Sequence, residues 1–155
     1  MPATWAANRA KAFTPMSKYF SLLPCFLFLL LSSCNDNADR PAIPNVLVNE
    51  QINVRSAMYP RLQQDGGYAY IAGGYKGIMV VRQSADLYYA FERTCPYDPA
   101  AACSQIEADD SNLFIIDKCC GSQFSFQGNV MAGPAVYGLR AYKTSLVGST
   151  LYISN

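Results

Sequence analysis

The chain has 155 residues, 12 basic against 11 acidic, no histidine, and a formal net charge of +1. With charge near zero and no basic cluster, nucleic acid is excluded as a partner. Without an imidazole, Ser–His and Cys–His nucleophile pairs are excluded, so no catalytic residue is assigned and the chain is not expected to be an enzyme.

The start of the chain predicts a leader. "MSKYFSLLPCFLFLLLSSC" (16–34) carries Lys18, an apolar stretch of ten residues from Leu22 to Leu31, and the closing run Leu31-Ser32-Ser33-Cys34. Ten apolar residues are too few for a spanning helix, which needs roughly 20. The pattern is that of a secretory signal peptide. Its last four residues resemble a bacterial lipobox, which implies cleavage before Cys34 and lipidation of that cysteine. Residues 1–15 fit no part of the signal and read as lying upstream of a true start at Met16. Cleavage leaves 122 residues, and the loss of Arg9, Lys11 and Lys18 leaves 9 basic against 11 acidic, a net of about −2. The expected organisation is signal peptide 1–33, lipidated cysteine and flexible tether 34–45 ("CNDNADRPAIPN"), and one β domain 46–155. The expected location is the bacterial cell envelope, facing the periplasm or the cell surface, with the lipid at Cys34 as the attachment to a membrane.

After the leader, helical periodicity nearly vanishes. Short β-rich runs follow: "VLVNEQINV" (46–54), "YAYIAG" (68–73), "GIMVVR" (77–82), "LYYAFE" (87–92), "LFIID" (113–117), "LRAYKTS" (139–145) and "TLYIS" (150–154). The linkers "QSAD" and "LVGS" are hairpin signals. Strands of four to seven residues, interrupted by Gly, Asp and Ser, predict an all-β fold, an antiparallel sandwich or small barrel. The tyrosines lie within or beside these strands and read as packing. "IEADDSN" (106–112) clusters three acids; it reads as a solvated loop rather than a calcium site, since no glycine stands at the spacing a calcium loop uses. Glu92 and Asp98 flank the next loop as lone carboxylates with no visible partner.

Four cysteines remain: Cys95, Cys103, Cys119 and Cys120. In an exported domain they predict disulfides, with three possible connectivities. The vicinal pair Cys119–Cys120 is disfavoured by strain. Both other connectivities tie the 95–103 loop to the 119–120 loop and staple one end of the sheet. A four-thiolate zinc site is the metal alternative. The intervening spacings of seven, fifteen and none lack the paired knuckles such sites use, so no metal is assigned.

The context of these loops resembles the Rieske iron–sulfur domain. "GIMVVRQSADLYYAFERTCPYDP" (77–99) is similar to the strand–hairpin–strand that delivers that family's first cluster loop, where C-x-H is replaced here by Cys95-Pro96-Tyr97. The second loop, C-P-C-H-G-S-x-F in the family, reads Asp117-Lys118-Cys119-Cys120-Gly121-Ser122-Gln123-Phe124. The end, "GNVMAGPAVYGLRAYKTSLVGSTLYI" (128–153), is similar to the glycine turn, G-P-A loop, L-R strand and final hairpin of the family. The resemblance covers about residues 68–153.

A Rieske cluster uses two cysteines on one iron and two histidines on the other. The resemblance implies that Cys95 keeps the first cysteine position. Tyr97 stands at the first histidine, Asp117 at the second cysteine and Cys120 at the second histidine. Cys119 falls on the non-ligand cysteine that bridges back to the first loop in many respiratory-type members, which points to Cys103 as its partner and leaves Cys95–Cys120 as a second bridge across the vacated site. The resemblance thus implies a degenerate, cluster-free Rieske-like domain with no cofactor. It would act as a binding or structural module, meeting an envelope protein through the loops around Tyr97, Gln123 and Tyr137. The alternative is a 2Fe–2S electron-transfer protein, or an accessory subunit of an envelope oxidoreductase, with atypical ligands.

Overall fold

The computed structural model describes residues 42–155. The expected signal peptide and Cys34 lie outside the described residues, as does all but the end of the expected tether. Among the described residues no helix is long and apolar enough to cross a membrane.

Among the described residues the fold is all-β, with ten strands and one short 3-10 helix, Pro60–Gln63. The strands are β1 (Asn49–Asn53), β2 (Tyr68–Ile71), β3 (Ile78–Arg82), β4 (Tyr88–Glu92), β5 (Ile106–Ala108), β6 (Ile115–Asp117), β7 (Gln123–Phe124), β8 (Val130–Ala132), β9 (Ala141–Val147) and β10 (Thr150–Ser154). They form two antiparallel sheets, a six-stranded one ordered β1-β10-β9-β4-β3-β2 and a four-stranded one ordered β5-β6-β7-β8.

The alternation along β3 explains how the two sheets share a core. Ile78 and Val80 join one buried cluster with Val48, Ile52, Leu62, Leu151 and Ile153. Met79 and Val81 point the other way, into a second cluster with Phe91, Ile106, Ile115 and Phe124. A strand covered on both faces needs an unbroken apolar run, and "IMVV" supplies it. β3 and β4 are therefore the shared wall: one core lies inside the curled six-stranded sheet, the other between it and the four-stranded sheet.

Three short strands differ from the sequence expectation. The start of the acidic segment, Ile106–Ala108, is strand β5 and pairs with β6. Ile106 is fully buried and Ala108 nearly so, so a two-residue apolar alternation outweighs the acidic composition around it. Strands of two or three residues, such as β7 and β8, carry too short a period to be read locally; β7 forms by pairing with β6, and β8 by pairing with β7. Two of the three acids of this segment have protein partners. Glu107 pairs with Lys118 at 2.5 Å, and the Asp109 carboxylate accepts the N–H and hydroxyl of Ser111.

The N-terminal lead-in is held as well. The Arg140 guanidinium donates to the carbonyls of Ile43 and Pro44 and to Asn45 Oδ1. The expected tether thus has its last three residues fastened to the domain.

Candidate functional site

Two loops build the site, and each is fixed by the strand that launches it. The first loop leaves β4 at Glu92. This carboxylate is fully buried and accepts five hydrogen bonds: from the N–H groups of Tyr75, Lys76 and Thr94, and from the hydroxyls of Thr94 and Tyr142. Burial alone would raise its pKa. The N–H of Tyr75, the Tyr142 hydroxyl, the N–H of Lys76 and Thr94 outweigh that and hold it below the ordinary carboxylate range. Gly74 lets the β2–β3 turn come this close: its φ is +63°, and a Cβ there would lie 2.4 Å from Glu92 Oε2. Lys76 extends the anchor outward, donating from Nζ to the carbonyls of Ala101 (2.5 Å) and Ser104 (3.0 Å). Glu92, read from the sequence as a lone carboxylate, is the clasp of the first loop.

The second loop is the tight turn between β6 and β7. Asp117 and Ser122 close it, with Asp117 N–H donating to the Ser122 carbonyl (2.9 Å) and Gly121 N–H to the Asp117 carbonyl (2.7 Å). The Asp117 side chain is buried and accepts the Cys119 N–H at 2.7 Å. A third segment, Gly133-Pro134-Ala135, covers the turn. Gly133 has φ +93°, and a Cβ there would sit 2.5 Å from Ser122 Cα. Ala135 N–H donates to Ser122 Oγ at 3.0 Å.

Where these loops meet, one predicted bridge is formed. Cys103 and Cys119 are joined on the exposed side, with Cα atoms 5.5 Å apart. That bridge removes both sulfurs from any four-thiolate metal site. The second expected bridge is not formed: Cys95 and Cys120 are free thiols with sulfurs 3.7 Å apart, well beyond the roughly 2.05 Å of a disulfide. Cys120 Sγ instead lies 3.1 Å from Ser122 Oγ, to which its S–H donates. Burial pushes the Cys95 thiol far above its usual range; the Tyr97 N–H opposes this, and Asp117 and Cys120 reinforce it. Cys95, Asp117 and Cys120 converge, their ligand atoms all within 4.8 Å of one another.

A cavity of about 370 Å³ opens beside this triplet, lined among others by Tyr97, Asp98, Ser104, Asp117, Cys120 and Pro134. Of the three residues expected to contact a partner, Tyr97 lines the cavity and is 49% exposed. Gln123 lies within β7, and Tyr137 is half-buried in the segment after β8; neither lines the cavity.

The fold has solved counterparts. The chain superposes on the cyanobacterial plasma membrane Rieske protein PetC3 from Synechocystis PCC 6803 with a TM-score of 0.52, at 22% identity, over 67% of this chain and 99% of that one. The fold is Rieske-like. The ferredoxin of carbazole 1,9a-dioxygenase from Nocardioides aromaticivorans IC177 aligns at TM-score 0.42 and 18% identity, over 73% of this chain and 98% of that one. No protein-family model and no curated relative matches the sequence.

In a Rieske-like frame the two loops are those that would embrace a 2Fe–2S cluster, and the donors present do not fit one. The cluster's second iron takes two imidazoles, and the chain has no histidine. The sequence resemblance puts Cys95 and Cys120 at positions that would serve different irons, yet their sulfurs are 3.7 Å apart. That is close to one edge of a single tetrahedron, about 3.8 Å for metal–sulfur bonds of about 2.3 Å. Sequence reasoning found all three converging residues through the motif alignment. It missed Ser122 as the polar neighbour of Cys120, though the G-S-x-F element contains it. It also missed Lys76, whose role depends on a contact 25 residues along the chain.

Proposed function

We propose that this chain is an envelope lipoprotein, anchored through a lipid at Cys34, whose Rieske-like domain has given up its 2Fe–2S cluster and works as a binding module at the loop end. The observation that carries the reading is the short Cys95–Cys120 approach in a chain without histidine. On this reading the two loops have closed over the space a cluster would need, and the Cys103–Cys119 bridge joins them covalently. One-electron transfer is thereby disfavoured.

What the loop end retains suits contact with a partner protein. Tyr97 is 49% exposed and Val136 is 80% exposed. Tyr97 belongs to the first loop, and Val136 follows the Gly133–Ala135 cover by one residue. The loop of Tyr97 is held by the Glu92 clasp and the disulfide, and Val136 follows Ala135, whose N–H donates to Ser122 Oγ. An aromatic residue presented on a rigid platform loses little conformational entropy on binding.

Iron and acid-labile sulfide analysis of the purified chain tests this directly. A colourless protein without sulfide agrees with the proposal. Two irons and two sulfides per chain would restore electron transfer as the leading function. Labelling with a radioactive fatty acid should mark the wild-type protein and not Cys34→Ser. Label retained by that variant would remove the lipid anchor.

A further inference from the structure

We propose that Cys95, Cys120 and Asp117 form a site for a single tetrahedral divalent cation, with zinc as the fitting ion and a fourth position facing the loop-end cavity. The inference rests on the cluster-free reading above, and it assigns a ligand to the same place.

Three observations converge. The first is chemical: thiolate sulfur and carboxylate oxygen are both donors that zinc accepts, at about 2.3 Å and about 2.0–2.2 Å respectively. The second is geometric. The sulfurs are 3.7 Å apart, against about 3.8 Å for the sulfur–sulfur edge of a zinc tetrahedron built from those bond lengths. The Asp117 oxygen lies within 4.8 Å of both, so a small inward movement completes three corners. The third is the support around the donors. Asp117 is buried and held by the Cys119 N–H through Oδ1. Ser122 Oγ already accepts the Ala135 N–H, so its own proton is free to turn toward Cys120 Sγ once that sulfur is a thiolate. Such outer partners orient metal ligands and tune them.

The fourth corner is left to solvent or to a donor brought by a partner. Asp117 and Cys120 both line the 370 Å³ cavity, whereas Cys95 closes the site from the buried side. Three protein ligands plus an open position is the arrangement of a zinc ion that binds something else, rather than one that only holds a fold. Binding one zinc ion releases two thiol protons: two S–H bonds break and two Zn–S bonds form, with an Asp117 oxygen as the third protein ligand.

The test uses the full chain, expressed in a bacterial envelope, extracted in detergent and purified without oxygen. Metal and acid-labile sulfide are measured first. The stripped protein is then titrated with cobalt(II), a coloured stand-in for zinc, with proton release followed in weak buffer. The expected result is one zinc per chain and no sulfide, with thiolate-to-cobalt charge-transfer absorption and two protons released per ion. Asp117→Asn should weaken binding roughly tenfold or more, and Cys120→Ser should abolish the charge-transfer band of a two-thiolate site. The double variant Cys103→Ser, Cys119→Ser should keep the metal. Should Cys120→Ser fail to fold, zinc protection of Cys120 against alkylation in the wild-type chain decides the matter.

A chain with free Cys95 and Cys120 thiols that binds neither zinc nor cobalt overturns the inference alone. So does a Cys95–Cys120 disulfide in the anaerobic preparation, or zinc that persists unchanged in Cys120→Ser. Two irons with two sulfides overturn this inference and the cluster-free function together.

Discussion

Two buried carboxylates sit at the two ends of this site, and their surroundings differ. Glu92, at the base of the first loop, meets five N–H and O–H donors and nothing that could replace it. Asp117, in the second loop, accepts one backbone N–H and otherwise faces two thiols. A carboxylate whose donors all come from the fold is a structural anchor. One that shares its space with polarisable, deprotonatable groups is set up to meet a ligand. The base of the domain is therefore committed to holding shape, and the loop end is where chemistry remains available.

The largest effect should come from the base. Glu92→Ala leaves five donors without an acceptor in a dry site. Hydrogen bonds to a charged group are worth about 1.5–3 kcal/mol each and are not additive, so a loss of about 3 kcal/mol or more is expected in urea unfolding. Asp117→Ala should cost clearly less, because fewer donors are orphaned. Equal losses would break the contrast between the two carboxylates. The same anchor predicts acid lability. The folded-state pKa of Glu92 is depressed, so its stabilisation is complete above the unfolded value of about 4.3 and disappears as pH falls through the folded value. Glu92→Gln should remove that part of the pH dependence, read from urea midpoints across the acid range.

Next in size is the covalent staple. The Cys103–Cys119 bridge spans a sequence separation of 16, and closing such a loop is worth about 3 kcal/mol in the chain-entropy model, often less in practice. Replacing both cysteines by serine should lower stability by up to that amount. Hydrogen exchange should rise in the two loops and stay unchanged in β3 and β4, whose residues fill both cores. Faster exchange in β3 would mean that loop end and base are not separable.

The contrast between base and tip was unequally legible in the sequence. The all-β architecture was readable because strands β2, β3, β4, β9 and β10 are long enough to show their pattern and are bounded by turn residues. The motif order around Cys95 and Cys119-Cys120 located the site, since G-S-x-F and G-P-A fix local turns whatever their neighbours are. The small sheet was not readable: β7 has two residues, and β5 hides in an acidic segment. Glu92 was visible as a charge at a strand end, but its meaning depends on Tyr142, fifty residues later. Local sequence fixes turns and alternation, whereas a buried polar network exists only once distant strands pair. The thiol pair shows the same limit. Motif alignment brought Cys95 and Cys120 together, and only the packing of the loops says that their sulfurs stop at 3.7 Å.

A glycine pair sharpens the comparison with smaller effects. Gly74 at the base and Gly133 at the tip both have positive φ, and in each an added Cβ would collide, with the Glu92 carboxylate in one and with Ser122 backbone in the other. Alanine at either costs about 1 kcal/mol for the left-handed backbone plus the displacement of its neighbour. Gly74→Ala should shift acid sensitivity as well as stability, because it disturbs the Glu92 clasp. Gly133→Ala should leave the pH profile alone and lift Ala135 away from Ser122, seen as faster exchange of the Ala135 N–H.

The smallest effect is expected at Tyr97, and it separates stability from function most cleanly. Its side chain is half exposed at the cavity mouth, and exposed substitutions away from special backbone stay within about 0.5 kcal/mol. Tyr97→Ala should therefore leave the urea midpoint unchanged while weakening any contact made by the loop end. The sequence resemblance expects Tyr97 where the Rieske pattern has an iron ligand. If it were instead a ligand in the native protein, its removal would change metal content or colour, which a packing or contact residue cannot do. An unaltered metal analysis with unaltered stability leaves surface recognition as the role the residue can play. A lost metal would shift Tyr97 from the rim of the site into its coordination sphere.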